Sequence, residues 1–235
     1  MKIYIELPEI YLSNFNEIIK YAASLRNAIN GIFVPDLPLN KPTLDACAFA
    51  SILKEKLNEK ELVLTQSVGH RSIVANKSRM QCIKKMGIEK MLLVQGPYSF
   101  SKVKDVLDYA VERFIIGSVL NEKTLDSRIK SGVKFFVTQL FPSMRELEIA
   151  KKVSDFDLFI LMGISDKKED YVKLKQKGFS VPEEILKAES VQSGIETYYY
   201  DVVHLLGRKP DIYLVPLTRE TGNFFIYEFI KNIQK

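Results

Sequence analysis

The sequence predicts a single (β/α)₈ barrel of the TIM type spanning residues 1–235, and three observations carry that reading. Eight short apolar runs recur along the chain, and each is followed by a longer stretch with helical periodicity. The runs lack polar alternation, as expected of parallel strands covered on both faces. The chain is also close to the ~250 residues usual for an α/β barrel.

Taken in order, the first strand is expected over residues 3–7 (Ile3-Tyr4-Ile5-Glu6-Leu7). A helix over 14–25 follows the cap signal Ser13-Asn14. The strand at 31–34 leads to a helix at 43–57, introduced by Pro42 with Asp45 in its first turn. Strands at 62–66, 91–95, 114–118 and 135–139 alternate with helices at 76–86, 101–112, 122–130 and 143–153. After a strand at 158–162 the connection is longer, with helical pieces at 169–177, 182–187 and 191–206. The eighth strand is expected at 212–215 and a closing helix at 222–233. Gly31, Gly87 and Gly132 fall between a helix and the next strand, where a left-handed residue ends a helix cheaply. An open doubly wound sheet would want a phosphate loop after its first strand, and Leu7-Pro8-Glu9-Ile10 is not glycine-rich.

Composition narrows the function classes. Hydrophobic residues make up 46% and charged residues 27%, with two cysteines, Cys47 and Cys82, that have no ligand-spaced partners. The charged start Met1-Lys2-Ile3-Tyr4-Ile5-Glu6 does not read as a signal peptide, and no apolar run nears the ~20 residues of a membrane span. A cytoplasmic protein is expected. The net charge of +5 comes from lysines interleaved with acids, as in Lys54-Glu55-Lys56, which describes solvated helix faces and not a nucleic-acid surface.

In such a barrel the chemistry collects where strands end and βα-loops begin. The polar residues there are Glu6, Asp36, the run Thr65-Gln66-Ser67 with His70 and Arg71, then Gln95, Ser118 with Asn121, Thr138-Gln139, Ser165-Asp166, and Thr218-Arg219-Glu220. Glu6 stands among apolar neighbours, which raises a carboxyl pKa towards neutrality; pairing with an arginine such as Arg219 is the competing reading. Amides and hydroxyls outnumber metal ligands, since His70 and His204 are the only histidines, and His204 falls in a helix as packing or surface. Such ends suit a heteroaromatic ring better than a metal. Tyr198-Tyr199-Tyr200, Phe224-Phe225 and Phe229 read as packing, with the tyrosines also available for subunit contact.

Several stretches resemble the methylenetetrahydrofolate reductase family in the same order: Tyr4-Ile5-Glu6-Leu7-Pro8, Phe33-Val34-Pro35-Asp36, the third and fourth units from Leu64 to Gly96, Lys130 to Gln139 with its Thr-Gln ending, Gly194-Ile195-Glu196, and Pro216-Leu217-Thr218-Arg219. The resemblance implies a reductase that passes hydride, through FAD and from NAD(P)H or another donor, to the methylene group of methylenetetrahydrofolate or a modified tetrahydropterin. It implies Glu6 as the acid that opens the one-carbon bridge, Thr65, Gln95, Asn121 and Arg128 at the cofactor, and Gln139 and Arg219 at the substrate. Gly96 is followed by Pro97 where the family has an aspartate, and Gly69-His70 stands where it has an arginine-aspartate pair. Two alternatives remain: a non-reducing pterin-binding subunit of a methyl-transfer complex, and an unrelated barrel lyase or isomerase. Association as a homo-oligomer or within a methyl-transfer complex is the expected partnership, with no nucleic acid and no membrane.

Overall fold

The computed structural model describes residues 1–8, 11–37, 43–57, 60–218 and 221–234. Its strands are β1 (Ile3–Glu6), β2 (Gly31–Val34), β3 (Glu61–Ser67), β4 (Lys90–Val94), β5 (Ile115–Val119), β6 (Phe135–Val137), β7 (Asp157–Ile164) and β8 (Asp211–Pro216). Each pairs in parallel with its neighbour in sequence, and β8 returns to β1, so the sheet closes as a barrel in sequence order. The helices are α1 (Phe15–Leu25), α2 (Ala46–Leu57), α3 (Ile73–Lys85), α4 (Lys104–Val111), α5 (Leu125–Lys130), α6 (Met144–Lys151), α7 (Lys168–Gln176), α8 (Glu183–Lys187), α9 (Val191–Leu206) and α10 (Asn223–Gln234). Among the described residues no helix is long and apolar enough to cross a membrane.

Element boundaries differ from the sequence reading where a polar side chain captures backbone. Asp45 caps α2 instead of joining its first turn: Oδ1 accepts from Cys47 N at 2.8 Å and Ala48 N at 3.2 Å, and the helix starts at Ala46. Ser72 does the same for α3, three residues ahead of the expected start. Asn121 caps a 3₁₀ turn over Glu122–Thr124, which splits the expected 122–130 helix. Ser101 does not begin α4; its hydroxyl is buried, donating to Val68 O at 3.0 Å and Arg71 O at 2.8 Å.

The two phases of each strand face different cores. Ile3, Ile5 and Leu7 pack outward among the helices, whereas Tyr4, Phe33, Val63, Leu92, Phe135, Val137, Phe159 and Tyr213 fill the lumen. Phe159 meets Tyr4, Phe33 and Phe135 edge-on, with centroids 5.0, 5.7 and 5.6 Å away. Room for these rings comes partly from Gly31, which does not take the left-handed conformation expected of it. It lies within β2, and a Cβ there would strike the Tyr4 ring. Gly87 and Gly132 do adopt positive φ, 71° and 89°. Below the rings, the Tyr4 hydroxyl binds Glu61, whose carboxylate also meets Lys90 Nζ at 2.8 Å. Phe224 is a further correction: it is 78% exposed, while Phe229 is buried as expected.

Candidate functional site

The strand phase that fills the lumen carries Glu6 to its upper end. Glu6 is in register with Phe33 and lies two residues above Tyr4, so its carboxyl faces the barrel interior and not the helices. Its described partner is Tyr213, whose hydroxyl donates to Oε2. The Tyr213 ring in turn stacks on Phe33 at 3.8 Å with planes 10° apart, which fixes the hydroxyl in place. Burial pushes the Glu6 carboxyl up to about 7, against the opposing pull of the Tyr213 hydrogen bond. Burial, then the adjoining Glu6 charge, raises the Tyr213 phenol. The proton thus resides on a carboxyl that both gains and loses it near neutrality.

This shift has a consequence for stability. The folded pKa of about 7 lies above the ordinary 4.5, so between those values the folded state binds the extra proton. The contribution is most favourable below 4.5, is lost as pH rises towards about 7, and is flat beyond. The full change is about 3 kcal/mol. Urea unfolding of Glu6→Gln and wild type at about pH 4 and about pH 8 should show the variant gaining that much on the wild type. A constant difference would mean that Glu6 is not buried as described.

The loops after β2, β3 and β4 are locked to one another. The buried Asp36 carboxylate accepts from Arg71 at 2.7 and 2.9 Å, from Arg79 at 3.4 Å and from Ser67 N at 3.0 Å. Arg79 also pairs with Asp45. Asn76 Nδ2, buried, donates to Val68 O, Arg71 O and Ser101 Oγ. Gly69 N donates to Gln95 O at 2.7 Å and Phe100 N to Gly69 O at 3.1 Å; a Cβ on Gly69 would collide with the Tyr98 and Gln95 carbonyl oxygens, so only glycine allows this approach. Gly96, at φ 70°, lets the loop pass close to Ser67 and His70.

The residues expected from the sequence divide into two groups. Thr65, half-buried, is in register with the lumen residue Leu92 and shares the interior phase with Glu6. Gln139 follows β6 by two residues and is exposed, its backbone N held by Glu146 Oε1 at 2.6 Å. Arg219 lies outside the described residues. The other three are engaged with their own loops. Gln95 Nε2 donates to Tyr98 O at 3.1 Å and Ser101 O at 3.0 Å, and Oε1 accepts from Val103 N at 3.2 Å. Asn121 Oδ1 accepts from Lys123 N at 3.0 Å. Arg128 donates to Ser118 Oγ and, at 2.7 Å, to Val119 O, and its burial lowers its pKa. Gln95, Asn121 and Arg128 thus each make hydrogen bonds within the chain around their own loops.

Tyr213 was missed because it reads as one more apolar strand residue; its even spacing from the lumen phase was the available signal. Among the described residues no cluster of three or more His, Cys, Asp or Glu side chains could hold a metal ion. A cavity of about 470 Å³ lies outside the barrel wall between α6 and α9, lined by Phe141, Met144, Tyr198, Val202 and Leu205. Glu6 is not among the residues that line it.

No protein-family model matches the chain, and no curated protein matches it. Solved structures do. An uncharacterized protein from Clostridium thermocellum that binds two copies of 5-methyl-5,6,7,8-tetrahydrofolic acid superimposes with a TM-score of 0.71 at 15% identity, over 99% of this chain and 94% of that one. The 3-keto-L-gulonate-6-phosphate decarboxylase of Vibrio cholerae gives 0.59 at 10% identity, over 98% and 97%. DHPS from Yersinia pestis, with a pterine-sulfa conjugate, gives 0.58 at 11% identity, over 99% and 91%. Two of these three barrels hold pterin compounds, and none of the three is described as an oxidoreductase. At these identities the likeness establishes what this chain shares with them, which is the closed eight-stranded α/β barrel.

Proposed function

We propose that the protein binds a folate-type tetrahydropterin across the mouth of the barrel, with Glu6 exchanging a proton with a nitrogen beside the one-carbon unit. The observation that carries this reading is the Glu6–Tyr213 pair: a carboxyl titrating near neutrality, above an aromatic floor, on the interior phase of β1. Pterin ligands in two barrels of the same shape support it. The reaction we assign is reduction of a methylene-tetrahydropterin to the methyl form. Protonation of the leaving nitrogen opens the five-membered bridge to an iminium cation, and hydride from a nicotinamide cofactor then converts its carbon to methyl. No step is assigned to flavin, given the engagement of Gln95, Asn121 and Arg128.

That same engagement favours a second reading, in which the methyl pterin is bound and presented without hydride transfer. Titration calorimetry with 5-methyltetrahydrofolate, together with a nicotinamide-oxidation assay on the methylene form, separates the two. Binding with turnover supports the reductase; binding without turnover supports the carrier. Failure to bind any tetrahydropterin removes both.

A further inference from the structure

We infer that Tyr213 is the positioning residue of the Glu6 acid: by holding Oε2 it leaves Oε1 as the oxygen that hands the proton to the pterin nitrogen, an inference that rests on the reductase reading above. The two strands paired with β1 are β2 and β8. Tyr213 on β8 is in register with Tyr4, two residues before Glu6. That places it about 6.6 Å lower along a parallel strand. Its side chain spans that height, and the hydroxyl meets Glu6 Oε2. On the way the ring stacks on Phe33 of β2, and Phe33 in turn meets Tyr4 and Phe159 edge-on, with centroids 5.7 Å away in both cases. Packed rings of the barrel floor therefore aim the phenol. Tyr213 is 3% exposed, whereas Glu6 keeps part of its surface open.

The roles within the pair follow from where protons can sit. Burial and the Glu6 charge hold the Tyr213 phenol well above its ordinary range, so it keeps its proton at every working pH. That proton has one acceptor among the described residues, Glu6 Oε2. Tyr213 thus donates to Oε2 whether or not the carboxyl is charged, and the proton that Glu6 itself gains goes to Oε1. A lone carboxyl turns freely about its last torsion and offers either oxygen; the phenol removes that choice. No other titratable group of the described residues acts on the carboxyl. Tyr4, below it on β1, gives its hydroxyl to Glu61, and the flanking Phe33 of β2 and Val215 of β8 are apolar. The hydrogen bond also favours carboxylate over acid, so Tyr213 limits how far burial raises the pH at which Glu6 gives up its proton.

The test is steady-state kinetics on a methylene-tetrahydropterin over a pH series, for wild type, Tyr213→Phe and Tyr213→3-fluorotyrosine. Phenylalanine keeps the stacked ring and removes only the hydroxyl; fluorination keeps the shape and makes the phenol a stronger donor. Tyr213→Phe should lower kcat about ten- to a hundredfold with little change in KM, and should move the alkaline fall in rate up by about one pH unit. The fluorinated variant should move that fall the other way. Circular dichroism checks that both variants fold, and the fluorinated arm decides alone if Tyr213→Phe does not. A Tyr213→Phe enzyme with the wild-type kcat and pH profile would leave the phenol as packing only and overturn the inference, while the reductase reading stands. A lower kcat with no shift in either variant's profile would do the same, because lost packing slows turnover without moving a titration. Wild type that binds tetrahydropterin without turnover, or binds none, would overturn both.

Discussion

Replacing Glu6 by glutamine is expected to lower turnover on a methylene-tetrahydropterin by about a hundred- to ten-thousandfold, the usual contribution of a positioned general acid. Affinity for the methyl product should change much less. The expectation follows from how the group is held. Glutamine keeps the shape and can still accept from the Tyr213 hydroxyl, so the stacked Phe33–Tyr213 pair and the barrel floor stay in place. What it loses is the proton to give. In the wild type, the rate should fall as pH rises through about 7, because the acid form of Glu6 is the competent one and disappears there. The variant should lack that limb. Steady-state kinetics over a pH series reads both effects, and a variant with wild-type turnover would remove Glu6 from the chemistry.

Asp36→Asn is expected to cost about 3–5 kcal/mol of stability, the range found when one partner of a buried ion pair is removed. Asp36 is 7% exposed and faces two guanidinium groups, those of Arg71 and Arg79, as well as Ser67 N. Asparagine offers one acceptor oxygen and no charge, which leaves Arg71 half-buried beside a neutral group. Arg79 keeps Asp45 and is less affected. For a chain of this size the loss corresponds to a melting temperature lower by roughly 10 °C. Because Asp36 joins the ends of β2 and β3, pterin binding should weaken as well. Urea denaturation gives the energy, and a loss below about 1 kcal/mol would show that water replaces the carboxylate at little cost.

The barrel was legible because its determinants are local: eight apolar runs, helical stretches between them, and turn glycines such as Gly87 and Gly132. Glu6 was legible for a similar reason, since its place follows from a strand three residues long before it. The remaining strand-end residues required phase as well as position. Tyr4 and Glu6 face in, so the same parity carried around the sheet brings Thr65 and Ser67 to the lumen side and turns Gln66 and Ser118 outward. There Gln66 Nε2 meets Asn76 at 2.8 Å and Ser118 meets Arg128. A list of polar strand-end residues therefore mixes the two faces unless that alternation is applied to it. The fate of Gln95 was beyond any parity argument, because it depends on the path of the loop from Gly96 to Val103. The Asp36–Arg71 pair likewise joins residues 35 positions apart and becomes visible only when β2 and β3 lie side by side.

The filled lumen sets the direction from which reaction partners must come. With Tyr4, Phe33, Phe135, Phe159 and Tyr213 occupying the axis, no molecule can thread the barrel or be swallowed by it. A planar ligand would rest on top as on a table, with one side against the acid. A donor or acceptor of the one-carbon unit would then meet it from above and not through the barrel axis.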